Sequence, residues 1–278
     1  MPELIVDKSL STRLELADAE VTARYARAYA ELFPGSGATV RTLSSGCVSF
    51  AGSRSPLSRA VGLGMAHPVT EADLDTVEEF FWYRGSRAII DVCPFADDSL
   101  VEIIGRRNYK IFHFLNLFVT EVSKNGPSHL APIPHISISQ VDRSSVEDGE
   151  TWALTVARGF AGMDDGTPPD LDIFRCMFRT EGTLCFLAKV DGKVAGGGAL
   201  KIVDHTAMLS TAATLPSFRK HGVQSGLLRA RLQAAATAGC DLATVMINPG
   251  NPSHRNIVRA GFSMAYTRIT LVRSDPLV

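Results

Sequence analysis

The chain has 278 residues, 45% hydrophobic and 21% charged, with a formal net charge of −1 at pH 7. That balance excludes a whole-surface attraction to nucleic acid or anionic lipid. No apolar run approaches the ~20 residues that span a bilayer, and the length suits one large domain or two modest ones. Cys47, Cys93, Cys176, Cys185 and Cys240 are scattered with no C-x-x-C spacing. They predict free thiols rather than a disulfide framework or a metal site. The Met-Pro-Glu-Leu start has neither a basic flank nor a long apolar run, so a cytoplasmic protein is expected.

In chain order, residues 10–32 read as an amphipathic helix ended by Pro34-Gly35. Short strands are expected at 46–51 and 60–65. Thr70 caps a helix with acidic residues in its first turn, running to about Tyr83. A β-branched strand at 88–93, a helix at 98–106 and a strongly apolar strand or pair of strands at 110–122 follow. Residues 125–134 hold three prolines, a glycine and an asparagine, and read as a linker. Helices are then expected at 146–159 and 170–178, with strands at 183–190, 194–203 and 207–214. Asp191-Gly192 is a two-residue hairpin turn. A helix at 222–238, a strand at 241–247, a helix at 253–260 and a strand at 264–272 complete the chain. Both halves close on strand, short helix, strand. The pattern predicts two mixed-sheet α/β (α+β) domains with flanking helices, at 1–124 and 136–278.

The stretch from Ser210 to Leu228 reads as strand, basic glycine-containing turn, helix. Backbone N–H groups delivered to a helix start bind phosphate, because orphan donors and the positive dipole end converge there. Arg219 and Lys220 add charge, and arginine grips phosphate bidentately. Gly222 permits close backbone approach. Val223, Leu227, Leu228 and Leu232 form the buried stripe behind the turn. Neither G-x-G-x-x-G nor G-x-x-x-x-G-K-[ST] is present, so neither a dinucleotide fold nor a Walker loop is indicated.

Arg219-Lys-His-Gly-Val-Gln224 resembles the R/Q-x-x-G-x-G/A pyrophosphate loop of the GNAT acetyltransferases, with Gln224 where the pattern has Gly or Ala. Ala-Ala-Thr-Leu-Pro before it resembles the strand end that introduces the loop. Asn251-Pro-Ser-His-Arg-Asn-Ile-Val-Arg-Ala-Gly-Phe262 resembles the family's next element. The resemblance covers about 183–273. It implies an acyl-CoA-dependent N-acyltransferase, acetyl-CoA being the expected donor. Its acceptor would be a small molecule or an exposed amine, and the protein a monomer or homodimer. The first half, without such a loop, would be a degenerate copy that is structural or substrate-shaping. A non-catalytic acyl-CoA-binding or sensing module is the alternative, and a ligand-free scaffold a third.

The resemblance also implies site roles. Lys220, His221, Gly222, Val223, Gln224 and Ser225 would hold the pyrophosphate with Arg219. Ala212, Ala213 and Thr214 would hold the pantetheine arm and supply an oxyanion donor. Asn251 and Asn256 would flank the arm. Many relatives place a tyrosine acid four residues before the Gly of Gly-Phe; that position is Ile257 here. Ser253, one turn earlier, is the substitute acid, with a helix N-cap role as its alternative. Glu181, His205, His221 and His254 are weak base candidates. Trp82, Tyr83 and Trp152 are acceptor-pocket candidates, and Tyr266 is expected to pack.

Overall fold

The computed structural model describes residues 4–43, 45–53, 55–124, 126–127 and 130–275. They divide into two compact units. The first comprises residues up to Leu117 with Ile247–Pro249 and those from Met264 on; the second comprises Phe118–Met246 and Gly250–Ser263. The last strand therefore clusters with the first half of the chain, whereas the split at 124/136 assigns it to the second.

The first unit opens on α1 (Lys8–Leu32), whose N-terminus is capped by the Asp7 carboxylate accepting from Leu10 N at 2.8 Å. β1 (Thr39–Leu43) and β2 (Gly46–Phe50) form a hairpin, and β3 (Arg59–Val61) continues it antiparallel. β4 (Ala88–Val92) pairs parallel to β3 at one position, Ala60↔Ile90. β11 (Ser263–Arg273) then lies antiparallel to β4, and the first residues of β5 (Lys110–Glu121) follow it. α2 (Glu71–Trp82) carries the Thr70/Asp73 capping box, and α3 (Asp98–Arg106) starts at the Asp97 cap. Both helices share a core with β4, built on Leu74, Val77, Phe81, Ile90, Leu100 and Ile103.

α1 packs on the strands through an apolar row, where Ala19 and Ala23 meet Cys47 and Val61, and through a polar one. Ser11, Glu15, Asp18 and Thr22 repeat at helical spacing, and all four are buried. Arg268, fully buried, meets Glu15 Oε1 at 2.9 Å and Asp18 Oδ2 at 2.6 Å. Arg59 donates to Asp18 and, at 2.8 Å, to Asp91 Oδ2. Tyr266 Oη donates to Glu15 Oε1 at 2.7 Å. Burial raises the Glu15 carboxyl against the opposing pull of Arg268.

In the second unit β6 (Ile136–Gln140), β7 (Thr183–Val190), β8 (Lys193–Val203) and β9 (Thr206–Thr214) are successive antiparallel neighbours. β10 (Leu242–Ile247) pairs parallel to β9, and Thr244 Oγ1 ties it to Phe118 O of β5 at 3.0 Å. The Asp191-Gly192 and Asp204-His205 turns have positive φ at both residues, the primed-turn geometry that matches strand twist. α4 (Val146–Ala161) and α5 (Leu171–Arg179) pack Trp152, Val156 and Phe178 over β7 and β8. α6 (Val223–Thr237) buries Val223, Leu227, Leu228 and Leu232, the stripe expected of it. α7 (His254–Arg259) follows β10.

Three readings change. β1 and β6 are strands that the sequence reading omits. The expected strand at 60–65 shortens to β3, because Gly62 and Gly64 turn at φ +77° and +71°. The proline-rich segment is docked rather than free where it is described. Arg229 Nε donates to Leu130 O at 2.8 Å, and Ile133 meets Gly222. Asn125, Ser128 and His129 of that segment lie outside the described residues.

Candidate functional site

The site is built where β9 and β10 part. They pair only at Leu242↔Thr206, Ala243↔Ala207 and Thr244↔Met208. Beyond Met208, β9 has no further register with β10, and its last residues, 210–214, are half-buried. A parallel pair that separates leaves backbone donors and acceptors on the facing edges without a ladder partner.

β9 also carries a bulge. Gly197 pairs with Ala213 but Ala199 with Ser210, so β9 holds one residue more than β8 in this interval. Thr211 takes the left-handed conformation, φ +54°, and its hydroxyl donates to Met177 Sδ at 3.3 Å. Behind the bulge lies Arg231, 3% exposed. Its Nη1 donates to Ala199 O at 3.2 Å and Ser210 O at 3.3 Å, one carbonyl on each strand. No carboxylate pairs with it among the described residues, and burial lowers its pKa to about 10. Lys201 Nζ, from β8, donates to Ser210 Oγ of β9. The sequence reading missed this pair; a charged residue inside the Leu227–Leu232 stripe was its one visible signal.

The turn after β9 passes through a short 3₁₀ segment, Pro216–Phe218, fixed by Asp164 Oδ1 accepting from Ser217 N at 3.0 Å. Lys220 and Gly222 then take positive φ, +69° and +90°, and α6 begins. Among the described residues no acceptor takes the N–H groups of 220–225, whereas Gly226 N closes the first helical bond on Gly222 O at 3.0 Å. Six consecutive donors thus surround a helix N-terminus next to the β9 edge. Arg219, Lys220 and His221 are exposed around them. A Cβ on Gly222 would stand 2.9 Å from Ile133 Cδ1, so both conformation and space require glycine there. Gly159 of α4 serves a different close approach: its Cβ would lie 2.6 Å from Ala213 Cβ, and its carbonyl accepts from Arg219 Nη2 at 3.4 Å.

Gln224, the departure in the loop, binds Asn256: Nδ2 donates to Oε1 at 2.6 Å, linking α6 to α7. Asn251 Oδ1 accepts from Ser253 N at 2.8 Å. Ser253 stands at the N-cap of α7 but makes no side-chain cap bond, so its hydroxyl is not consumed by the helix. Ile257 is buried, 3% exposed. Of the other candidates, His221 lies in the loop itself. Glu181, His205, His221 and His254 are exposed. Trp152 is core, its Nε1 donating to Gly198 O at 3.2 Å, which removes it from any acceptor pocket. Trp82, Tyr83 and Tyr266 belong to the first unit; Tyr83 is exposed and Tyr266 packs on Phe95. All five cysteines are free and buried. Burial pushes the thiols of Cys47, Cys93 and Cys176 up to about 12, which makes them poor nucleophiles. No cluster of three metal-ligating side chains occurs among the described residues, and none of their helices is long and apolar enough to cross a membrane.

Residues 142–262 match the model of the acetyltransferase (GNAT) family. A search of curated proteins returns no match. Among solved structures, a GCN5-related N-acetyltransferase from Kribbella flavida is similar at TM-score 0.65 and 18% identity, over 96% of each chain. A tandem GNAT protein from the clavulanic acid biosynthesis pathway is similar at TM-score 0.62 and 11% identity, over 94% of this chain and 95% of that one. A GCN5-related N-acetyltransferase from Sphaerobacter thermophilus gives 0.56 and 13%, over 92% and 91%. At these identities the likeness is one of fold.

Proposed function

We propose, from the match of residues 142–262 to the GNAT acetyltransferase family model, that this chain transfers an acyl group, acetyl above all, from coenzyme A directly to an amine. The observation that carries the reading is the run of six free N–H donors at 220–225, beside the edge where β9 and β10 part. A pyrophosphate spreads its charge over several oxygens, and converging backbone donors at a helix start match it. Arg219 and Lys220 supply the countercharge.

The pantetheine arm runs along Ala212–Thr214, adding to the free edge of β9 as a strand would. An N–H near Ala213 or Thr214 meets the carbonyl oxygen as it becomes an oxyanion; one such donor is worth ~2.7–4 kcal/mol in other acyl transfers. The neutral amine attacks the thioester carbon, a C–N bond forms and the C–S bond breaks. The amine loses a proton to water. The leaving thiolate takes a proton relayed through Ser253, whose hydroxyl the helix does not use and which regains a proton from water in the same step. Asn256, fixed by Gln224, positions the start of α7 beside the arm. The first unit is a degenerate GNAT-like copy without a donor site of its own. In it the chain after β3 is closed off: Gly64 O accepts from Asp97 N at 2.8 Å and from Lys8 Nζ at 3.3 Å.

A second reading, a non-catalytic acyl-CoA sensor, draws on one observation, the buried Ile257 at the usual acid position. Calorimetry with acetyl-CoA and thiol release across an amine library separate the two. Saturable binding with amine-dependent thiol release is expected. Binding without turnover for any amine transfers the case to the sensor, and absent binding sinks both.

A further inference from the structure

We propose that the first unit carries a ligand site of its own, for a small organic monocarboxylate with an apolar body. The site is a cavity of about 260 Å³ lined by residues of β3, β4, β5 and β11 and by the serine-rich loop before β3. At ~30 Å³ per water-sized group, it admits a ligand of roughly eight or nine heavy atoms. Its walls are half apolar, from Ile89, Phe112 and Leu115.

The charges around it are unequally committed. Arg59 spends Nη1 on Asp91 and Nη2 on Asp18 and Thr22. Its Nε is buried without a partner among the described residues, whereas Asp91 is filled: Oδ1 accepts from Thr270 Oγ1 at 2.5 Å, and Oδ2 accepts from Arg59 and Arg268. Both therefore present a neutralised floor. Arg87 is different. Among the described residues no carboxylate pairs with it, and its guanidinium carbon lies 4.3 Å over the Phe112 ring. A cation–π contact engages the guanidinium face and leaves the in-plane N–H donors free. Those donors fit one carboxylate, while Phe112, Ile89 and Leu115 take the apolar body. One uncommitted guanidinium matches a single negative charge and leaves a phosphate dianion half-compensated. Thr270 gives its one hydroxyl proton to Asp91, so it accepts from His113 Nε2 at 3.3 Å and fixes that ring in the wall.

The test is calorimetry on the full chain with benzoate and hexanoate, set against benzylamine, hexylamine, benzyl alcohol and inorganic phosphate. Saturable binding of the two acids is expected, at least tenfold tighter than that of the amines, the alcohol or phosphate. The exposed substitution Arg87→Ala should weaken it at least tenfold, and Ile89→Trp, which fills the cavity, should abolish it. Excess coenzyme A should leave the acids bound, because the donor loop lies in the second unit. No saturable binding of either acid, equal binding of the amines, unchanged affinity in Arg87→Ala, or displacement by coenzyme A each overturns the proposal. Should Ile89→Trp fail to fold, Arg87→Ala and the competition decide alone.

Discussion

The two units place a parallel strand pair in the same local order, strand, turn, helix, strand, and finish it in opposite ways. In the second unit β9 and β10 pair three times and then part, leaving half-buried strand residues and a turn whose amide protons face no acceptor. In the first, β3 and β4 pair once and the space beyond is consumed. Gly64 is pinned by Asp97 and Lys8, and Leu63 and Met65 are buried at 1% and 3%. The same topology yields a receptive edge or a sealed one, according to whether the turn is held in solvent by Lys220 and Gly222 or drawn into the core by apolar side chains. Their buried charges differ as well. In the first unit one buried cluster sets Glu15, Asp18 and Asp91 against Arg59 and Arg268, whereas in the second the buried Arg231 donates to carbonyl oxygens.

The largest break in that comparison comes from Arg268→Leu. It leaves Asp18 and Asp91 sharing Arg59 and Glu15 without its guanidinium, and removing one partner of a buried ion pair costs ~3–5 kcal/mol. Urea unfolding should show that loss, while the folded variant keeps its acetyl-CoA affinity if the network serves the first unit alone. Gly222→Val comes next. Its β-branched side chain is forced to positive φ and against Ile133, and acetyl-CoA affinity should fall roughly a hundredfold, ~2.7 kcal/mol at ~1.4 kcal/mol per decade. Arg219→Glu should weaken the same calorimetric signal, and unchanged affinity in both variants would remove the loop from the donor site.

Arg231→Leu tests the bulge. Two buried carbonyls lose their donor, at ~1–3 kcal/mol for an unsatisfied group. Because Arg231 positions the strand rather than touching the acyl group, kcat should fall more than the affinity for coenzyme A. Equal loss in both, or in neither, would reduce it to packing. Glu15→Gln sharpens the charge contrast through pH. The folded chain binds the Glu15 proton more tightly than the unfolded chain, so its contribution is complete below about pH 4.5 and is lost as pH rises through the raised value. Melting temperatures measured from pH 4.5 to 8 should shift progressively in favour of the glutamine variant; parallel curves would contradict the raised carboxyl. The smallest change is Ser253→Ala. With no cap bond to lose, stability should move by less than ~0.5 kcal/mol, while kcat falls tenfold or more if the hydroxyl protonates the thiolate. An unchanged kcat retires Ser253 from catalysis.

Local pattern carried much of this architecture. The Val223–Leu232 stripe, the Thr70 cap and the Asp191-Gly192 and Asp204-His205 turns follow from neighbours within a few residues, where propensity and spacing suffice. β6 was legible too, since Ile-Ser-Ile-Ser alternates with period two, but a reading that goes from the linker at 125–134 to the helix at 146–159 passes over it. The polar repeat Ser11, Glu15, Asp18 and Thr22 was equally visible. Read alone it is a solvated helix face, and it became a buried one only because Arg59 and Arg268, 41 and 250 residues from Asp18, arrive to pair with it.

By itself, the sequence determined the basic turn from Arg219 to Ser225, the glycine it requires and the helix behind it. These are short-range features, and a family resemblance could be read from them. Tertiary structure decided what the turn faces. The parting of β9 from β10, the Arg231 contacts across the bulge and the recruitment of the last strand to the first unit all join residues distant in the chain. Backbone groups become a binding edge only where the fold withholds their ordinary partners, and no local pattern records that.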